Sequence, residues 1–516
     1  MKVASLRVEN FRGFINSGDV KLKPLNFLIG KNSIGKSSFG RLWPLLHQGI
    51  QIGKRSPIVW NGDLVDFGSF DDVLSRYSEK KNIIFNFTLT KKQNTEILRR
   101  SFLHKSSLVK NLINEDIDVS LSLCRGGNEY TTLCSSFSIK IGETLIQNKF
   151  DKESKLESIT INGVDINLHK SYITESRIGY ILPEISYFVK INDQIVSAHS
   201  PMRMRLFRVL RDELHSRLTD ERVHEICSSL KVICNKEELI EICRNLQHKY
   251  KTWQDFLKKA EANPKLLARF HEAVNFAASE YFSRDLDSFI KDNFSSVNYI
   301  KPFRATAQRY YRRQDLAIDN IDSNGSNLAF YLESLSTSKL EKLNLWLSDN
   351  LDLNVILDSE KGHVMIKIHD LTSNRIDNMA DMGFGFSQVL PLAVQAWISS
   401  SIFARQSNRI DTSDKILVWE QPELHLHPAM QRKLTSLIAK TIKAAQKSNI
   451  SFIIETHSQS MINEIGDLIL ENELKSDDVQ ILLFEQTGNN SETTIRSTGF
   501  NSDGELINWP FGFLAV

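Results

Sequence analysis

Eight residues near the start of the chain, Gly30-Lys31-Asn32-Ser33-Ile34-Gly35-Lys36-Ser37, fit GxxxxGK[ST] in full. The two glycines let the backbone curl so that successive N–H groups point at phosphate oxygens, and a helix starting here adds partial positive charge. Lys36 would reach the outer phosphates of a nucleoside triphosphate, and the Ser37 hydroxyl would coordinate Mg²⁺. Gly30, Asn32, Gly35 and Ser38 complete the expected nucleotide contacts. Far along the chain, Glu420 follows the apolar run Ile416–Trp419, where a strand-end carboxylate can hold the Mg²⁺ water shell opposite Ser37. Gln421-Pro422-Glu423 and Leu424-His425-Leu426-His427-Pro428 come next. A second apolar run, Phe452–Ile454, leads into Glu455-Thr456-His457-Ser458, placing His457 at a strand terminus to meet a γ-phosphate or the attacking water. His425 and His427 are two apart and would face different ways on a helix, so packing or turn roles suit them better than a metal pair. Asp381–Gln388 alternates glycine with phenylalanine before Ser387-Gln388 and an apolar stretch, the pattern of a serine-capped helix start or of a plain glycine-rich turn.

These residues need a sheet to carry them. Leu25–Ile29 is a short apolar run ending in Gly30, and residues 36–49 have helical spacing, with Pro44 expected to kink that helix or shift its start. Ile416–Trp419 and Phe452–Ile454 are runs of the buried, parallel-sheet kind, and the helical stretch 428–447 between them is what a βαβ crossover requires. Residues 82–165 predict strands punctuated by turns such as Gly126-Gly127-Asn128 and Asn162-Gly163. From Met202 to Phe294 the pattern turns helical, too broken for a long coiled-coil arm. Asn354–Leu357 and Val364–Ile368 flank Glu360-Lys361-Gly362 as a hairpin would. The expected architecture is an α/β head built from both chain ends, 1–95 and 296–516. A mixed α+β insertion, 96–295, interrupts it, strand-rich first and mostly helical in its second half.

Composition narrows the class. The 516 residues carry 64 Lys+Arg against 62 Asp+Glu, a balance that excludes both a uniformly basic DNA-coating protein and an acidic solvating tail. No apolar run is long enough to span a bilayer, and the first residues alternate like a strand rather than forming a signal-peptide core, so no membrane association is expected. Five cysteines with no CxxC pair imply neither a disulfide frame nor a zinc site, which points to a reducing cytoplasm.

Taken in order, the motifs resemble the ABC-type P-loop ATPases of the SMC/RecF-like branch. Within it they look most like the prokaryotic defence ATPases that include the overcoming-lysogenisation-defect and Septu families. The matching pieces are Glu9–Phe14, the phosphate loop, Asn61–Phe70, Tyr299–Ala305, Gly383–Gln388 as a degenerate signature motif, Glu420–Glu423 with His425–Pro428, Thr456–Ser458, and Asp503–Leu506 with Trp509-Pro510. They cover about residues 1–95 and 296–516. The resemblance implies a homo-oligomer, a head-to-tail dimer or higher, in which Gly30–Ser37 of one subunit and Gly383–Ser387 of the other, Gly385 and Ser387 among them, clamp one ATP, with Ser387 approaching the γ-phosphate in trans. It also implies that Arg12 adds a phosphate contact, that Glu420 completes the Mg²⁺ shell, and that His457 is the switch histidine.

Two departures from the family pattern shape the expected function. The residue after the Mg²⁺ carboxylate is usually the glutamate that polarises water, and here it is Gln421, which orients water but cannot take a proton. Either Glu423 replaces that base or ATP is turned over slowly. The overcoming-lysogenisation-defect nucleases continue into a Toprim domain, and the 58 residues after Ser458 are too few for one. With no HNH pattern in the chain, a nuclease is expected on another subunit. The expected function is therefore a nucleotide-gated sensor ATPase of an anti-phage system that controls a separate HNH-type nuclease. The alternatives are a RecF-like repair or recombination ATPase and an ATP-stabilised oligomeric scaffold. Two basic clusters, Arg203/Arg205/Arg208/Arg211 and Arg304/Arg309/Arg312/Arg313 around Tyr310 and Tyr311, suit DNA contact by charge and stacking. Solvated, ion-paired helix faces are the plainer reading of both.

Overall fold

The computed structural model describes residues 2–51, 56–90, 116–165, 172–177, 181–191, 194–197, 201–231, 233–246, 250–314, 318–360, 362–400, 415–445, 450–487 and 492–509. Five parallel strands form its centre, in the spatial order Val297–Ile300, Lys415–Glu420, Ile450–Glu455, Leu25–Gly30 and Val479–Thr487. Glu492–Phe500 then returns antiparallel, and Leu506–Ile507 closes that edge. All six residues of Leu25–Gly30 are buried, which is why this stretch is a run of apolar residues rather than an alternation: helices cover both faces. The expected crossover is present, with helix Pro428–Ala444 joining the parallel strands that end in Glu420 and Glu455.

The expected effect of Pro44 is also visible. The chain forms a short helix Lys36–Gly40, breaks at Arg41 and restarts as Leu42–Gln51. Pro44 has no N–H to offer the Gly40 carbonyl, but in the first turn of a new helix that missing donor costs nothing.

A nine-stranded antiparallel sheet lies over these helices. Its main path runs Val164–Asp165, Leu156–Ile161, Thr144–Phe150, Thr132–Ile141, Ile117–Arg125, Ile83–Thr90, Lys2–Phe11 and Phe14–Asn16, with Val20–Lys21 also on Lys2–Phe11. Ile83–Thr90 alternates buried and half-buried residues along its length. The inward set, Phe85 and Phe87, packs with Phe11, Phe39, Trp43 and Phe484 in one core. Residues 91–115, which contain the expected boundary at 95/96, lie outside the described residues. The strands on either side of them, Ile83–Thr90 and Ile117–Arg125, pair directly within this one sheet.

Five helices follow, Pro201–Glu213, Asp220–Ser229, Lys236–Asn245, Lys251–Ala262 and Pro264–Ser295, around a core of their own that includes Leu206, Val223, Leu239, Trp253 and Phe270. The last is 32 residues long and inserts Phe282, Leu286, Ile290 and Phe294 into the core under the antiparallel sheet. On the other face of the parallel sheet, Leu353–Glu360 and His363–Asp370 form the expected hairpin, with Glu360 opposite His363. Helices Thr337–Leu351 and Phe384–Ser399 fill the second core there. Among the described residues, no helix is long and apolar enough to cross a membrane.

Candidate nucleotide site

Parallel register decides what meets at the carboxyl ends of the central strands, the usual ligand edge of such sheets. Glu420 is paired with Glu455, and Glu455 with Leu28, two residues before the phosphate loop. The loop turns sharply through Ser33 at φ 63° and Gly35 at φ 103°. A Cβ at Gly35 would sit 3.1 Å from the Phe14 ring, and one at Gly30 would sit 2.8 Å from the Phe484 carbonyl, so both positions need glycine. Thr493 fastens the loop, donating its hydroxyl to the Ile34 carbonyl at 2.8 Å and its N–H to the Gly13 carbonyl at 2.9 Å.

A cavity of about 410 Å³ opens beside the loop, lined by Arg12, Asn32, Ser33, Gly35, Lys36, Ser37, Ser38, Arg41, Gln421 and Glu455. Lys36 is only 3 % exposed, and its ammonium donates to the Gly30 and Lys31 carbonyls at 2.9 and 2.6 Å. Burial holds its pKa below the usual lysine value, and the Glu455 charge partly offsets this. Arg12 lies with its guanidinium 4.5 Å over the Phe67 ring and donates to the Phe67 carbonyl at 3.3 Å. The Asn61–Phe70 motif thus supplies the platform that aims Arg12 at the cavity. Burial, and then the neighbouring Arg41 charge, lower the Arg12 pKa. Such a cluster of desolvated cations is a receptor for phosphate.

Two carboxylates at this edge have different partners. Glu420, expected at the Mg²⁺ shell, is 3 % exposed and held in a fork by Arg41, whose Nε and Nη2 donate to its two oxygens at 2.7 Å each. Tyr299 donates to the same group at 2.8 Å. The hydrogen bond to Glu420 raises the Arg41 pKa, while burial and then the Glu420 charge push the Tyr299 pKa up. It is Glu455 that meets Ser37, accepting its hydroxyl at 2.9 Å. Glu455 is 5 % exposed, and its Oε2 has no hydrogen-bond partner among the described residues. Burial, reinforced by the charge of Glu420, raises its pKa from 4.5 to about 7, against the pull of Ser37, Lys36 and Arg41.

Sequence reasoning named neither Glu455, Arg41 nor Tyr299 as site residues. The signals available were Glu455 preceding Thr456-His457 at a strand end and Tyr299 opening a quoted motif. The same motif contains Arg304, which is buried rather than displayed to DNA: it donates to Gln388 at 3.2 Å and to the carbonyl of Gln421 at 3.2 Å, and burial lowers its pKa to about 10. Gln421 adopts φ 44°, donates its N–H to the Glu455 carbonyl at 2.8 Å, and lines the cavity. Glu423 is not among the lining residues; its Oε1 accepts the His457 N–H at 2.7 Å, and burial raises its pKa. His457 is exposed beyond the strand end, its pKa lowered by partial burial and by Lys36. His427 caps helix Pro428–Ala444 through Ala429 N–H at 3.3 Å, and His425 lies 5.8 Å from the Phe384 ring, both turn and packing roles.

The Gly383–Gln388 stretch starts helix Phe384–Ser399, with Gly383 at φ 75°. Ser387 is 4 % exposed and donates to the Phe384 carbonyl at 2.8 Å, while Phe384 itself is 59 % exposed. None of these residues lines the phosphate-loop cavity of their own chain.

Residues 1–462 match the family model described as an AAA ATPase domain. The chain belongs to this AAA ATPase family. No curated relative matches the ATPase. Among solved structures, the ATPase is similar to an SMC head bound to the C-winged helix domain of ScpA, at 10% identity over 97% of this chain and 98% of that one, with a TM-score of 0.33. It is also similar to the SMC head domain from Thermotoga maritima, at 9% identity over 96% and 98% of the two chains, with a TM-score of 0.35.

For Mg²⁺, which ATPases of this kind use, the donor set fits. A serine hydroxyl and a buried carboxylate with an unpartnered oxygen are hard oxygen ligands of the type that ion takes.

Proposed function

We propose that this ATPase is a nucleotide-gated regulatory subunit of an anti-phage system, binding Mg²⁺–ATP and pairing head to tail to control a separate HNH-type nuclease. The observation that carries the ATP site is the cavity that Lys36, Arg12 and Arg41 line together with the glycine-turned loop. In this reading Lys36 leaves the loop carbonyls for the outer phosphates, Arg12 adds a second cation, and loop N–H groups around Asn32, Gly35 and Ser38 take the remaining oxygens. Bound Mg²⁺ would neutralise phosphate charge next to Ser37. His457 contacts the γ-phosphate from the neighbouring strand end. Gln421 orients the attacking water without accepting its proton, which supports slow turnover. Glu423, committed to the His457 backbone, steers that histidine rather than acting as the base.

Head pairing is supported by the exposed residues Gly383 and Phe384 at the signature edge, which do not line their own chain's cavity. With the Ser387 hydroxyl turned into its own helix, the backbone and Phe384 form that edge. The basic clusters give the DNA-repair reading little support: Arg205 pairs with Glu272, Arg211 with Asp220, Arg309 with Asp381 and Arg313 with Glu333. Light scattering with and without ATP tests the pairing. The wild type should gain mass with ATP and Phe384→Glu should not; equal ATP-dependent assembly by both would remove the signature edge from the interface.

A further inference from the structure

We infer that the protein ligand to Mg²⁺ opposite Ser37 is Glu455, and that Glu420 is instead a structural anion locked by Arg41 and Tyr299. This rests on the reading of the loop as an ATP site and names the residue that holds its metal. Three independent observations converge on it.

The first is occupancy. Both oxygens of Glu420 already take charged donors at 2.7 Å, and one also takes the Tyr299 hydroxyl. A planar guanidinium fork matched to a carboxylate makes two parallel charge-assisted hydrogen bonds, stronger than neutral ones. To reach a cation, Glu420 would have to abandon it and leave Arg41 unpaired. The second observation is proximity. Glu455 touches the metal-binding hydroxyl directly, at 2.9 Å, and the strand register that places it there is fixed through Leu28. The third is the orphaned atom. Glu455 is 5 % exposed, lines the phosphate cavity, and presents Oε2 with no partner among the described residues. A buried carboxylate oxygen beside a second acid is costly unless a cation arrives to balance it. A hard divalent ion between Ser37, Glu455 and phosphate oxygens supplies that balance.

The test uses the full-length chain and ATP, with Mn²⁺ as the paramagnetic stand-in for Mg²⁺. Two quantities are measured for the wild type, Glu455→Gln and Glu420→Gln: ATP affinity in EDTA, and Mn²⁺ affinity of the nucleotide complex by electron paramagnetic resonance. In EDTA, Glu455→Gln should bind ATP at least as well as the wild type, because a negative charge has left the phosphate site; that result also shows that the variant is folded. Its Mn²⁺ affinity should fall by about tenfold or more, the size expected when a metal contact is removed. Glu420→Gln, which frees the Arg41 charge beside the site, should lower Mn²⁺ affinity less than Glu455→Gln does. Glu455→Asp, which retains the charge at shorter reach, should recover part of the loss. Wild-type Mn²⁺ affinity in Glu455→Gln overturns the assignment, also where turnover alone is lost, since that pattern would make Glu455 a base. Loss confined to Glu420→Gln overturns it too. Failure of the wild type to bind ATP under either condition would defeat the ATP-site reading and the metal assignment together.

Discussion

Glu455→Gln should change how the nucleotide-free protein responds to pH. The structure raises this carboxyl from 4.5 to about 7, chiefly by burial. At ~1.4 kcal/mol per pH unit, ionising it in the fold costs about 3 kcal/mol more than in the unfolded chain. The sign follows from proton counting. Between about pH 4.5 and about pH 7 the folded chain keeps a proton that the unfolded chain has released, so stability falls as pH rises through that window and levels off above it. Glutamine cannot titrate, so the variant lacks this term. Urea unfolding of wild type and variant in EDTA, at a series of pH values, isolates the residue because every other titrating group is shared. The stability difference should shift by about 3 kcal/mol in the variant's favour between acid and mildly basic solution. A difference constant to within about 0.5 kcal/mol would mean that Lys36 and Arg41 keep Glu455 ionised throughout, and the electrostatic reasoning would fail.

Two further outcomes follow from the same geometry. Arg41→Met leaves the buried Glu420 charge with Tyr299 as its remaining donor and should cost roughly 3 kcal/mol in chemical unfolding, while adding Glu420→Gln should recover about half of that; a loss no larger than that of a surface substitution would contradict the fork. Gln421→Glu should speed phosphate release by about tenfold or more if the missing base limits turnover, and an unchanged rate would show that the limit lies elsewhere.

The parts legible in the sequence were those encoded by neighbours in the chain. Gly30–Ser37 is contiguous, and its strand-before, helix-after context is contiguous too. The apolar runs ending in Glu420 and Glu455 and the helix between them form one local crossover unit, and Pro44 lies within a few residues of the break between helices Lys36–Gly40 and Leu42–Gln51. The rest depends on contacts across the fold. Glu455 matters because parallel register sets it beside Leu28 and Glu420, and nothing in Ile453–His457 announces that register. Arg41 is an ordinary residue at a helix break until Tyr299, more than two hundred positions away, is brought to the same carboxylate. Arg304 looked like surface charge in an arginine-rich stretch; only packing shows it turned inward to Gln388 and Gln421.

The most direct test of the account is to measure ATP binding and phosphate release on the same purified chain, with Lys36→Ala alongside. The wild type should bind ATP and release phosphate slowly but above the variant, while Lys36→Ala should lose binding by about a hundredfold, the effect of removing one buried, phosphate-paired cation. Equal ATP affinity in the two proteins would contradict it, because the loop at Gly30–Ser37 would then not be the nucleotide site.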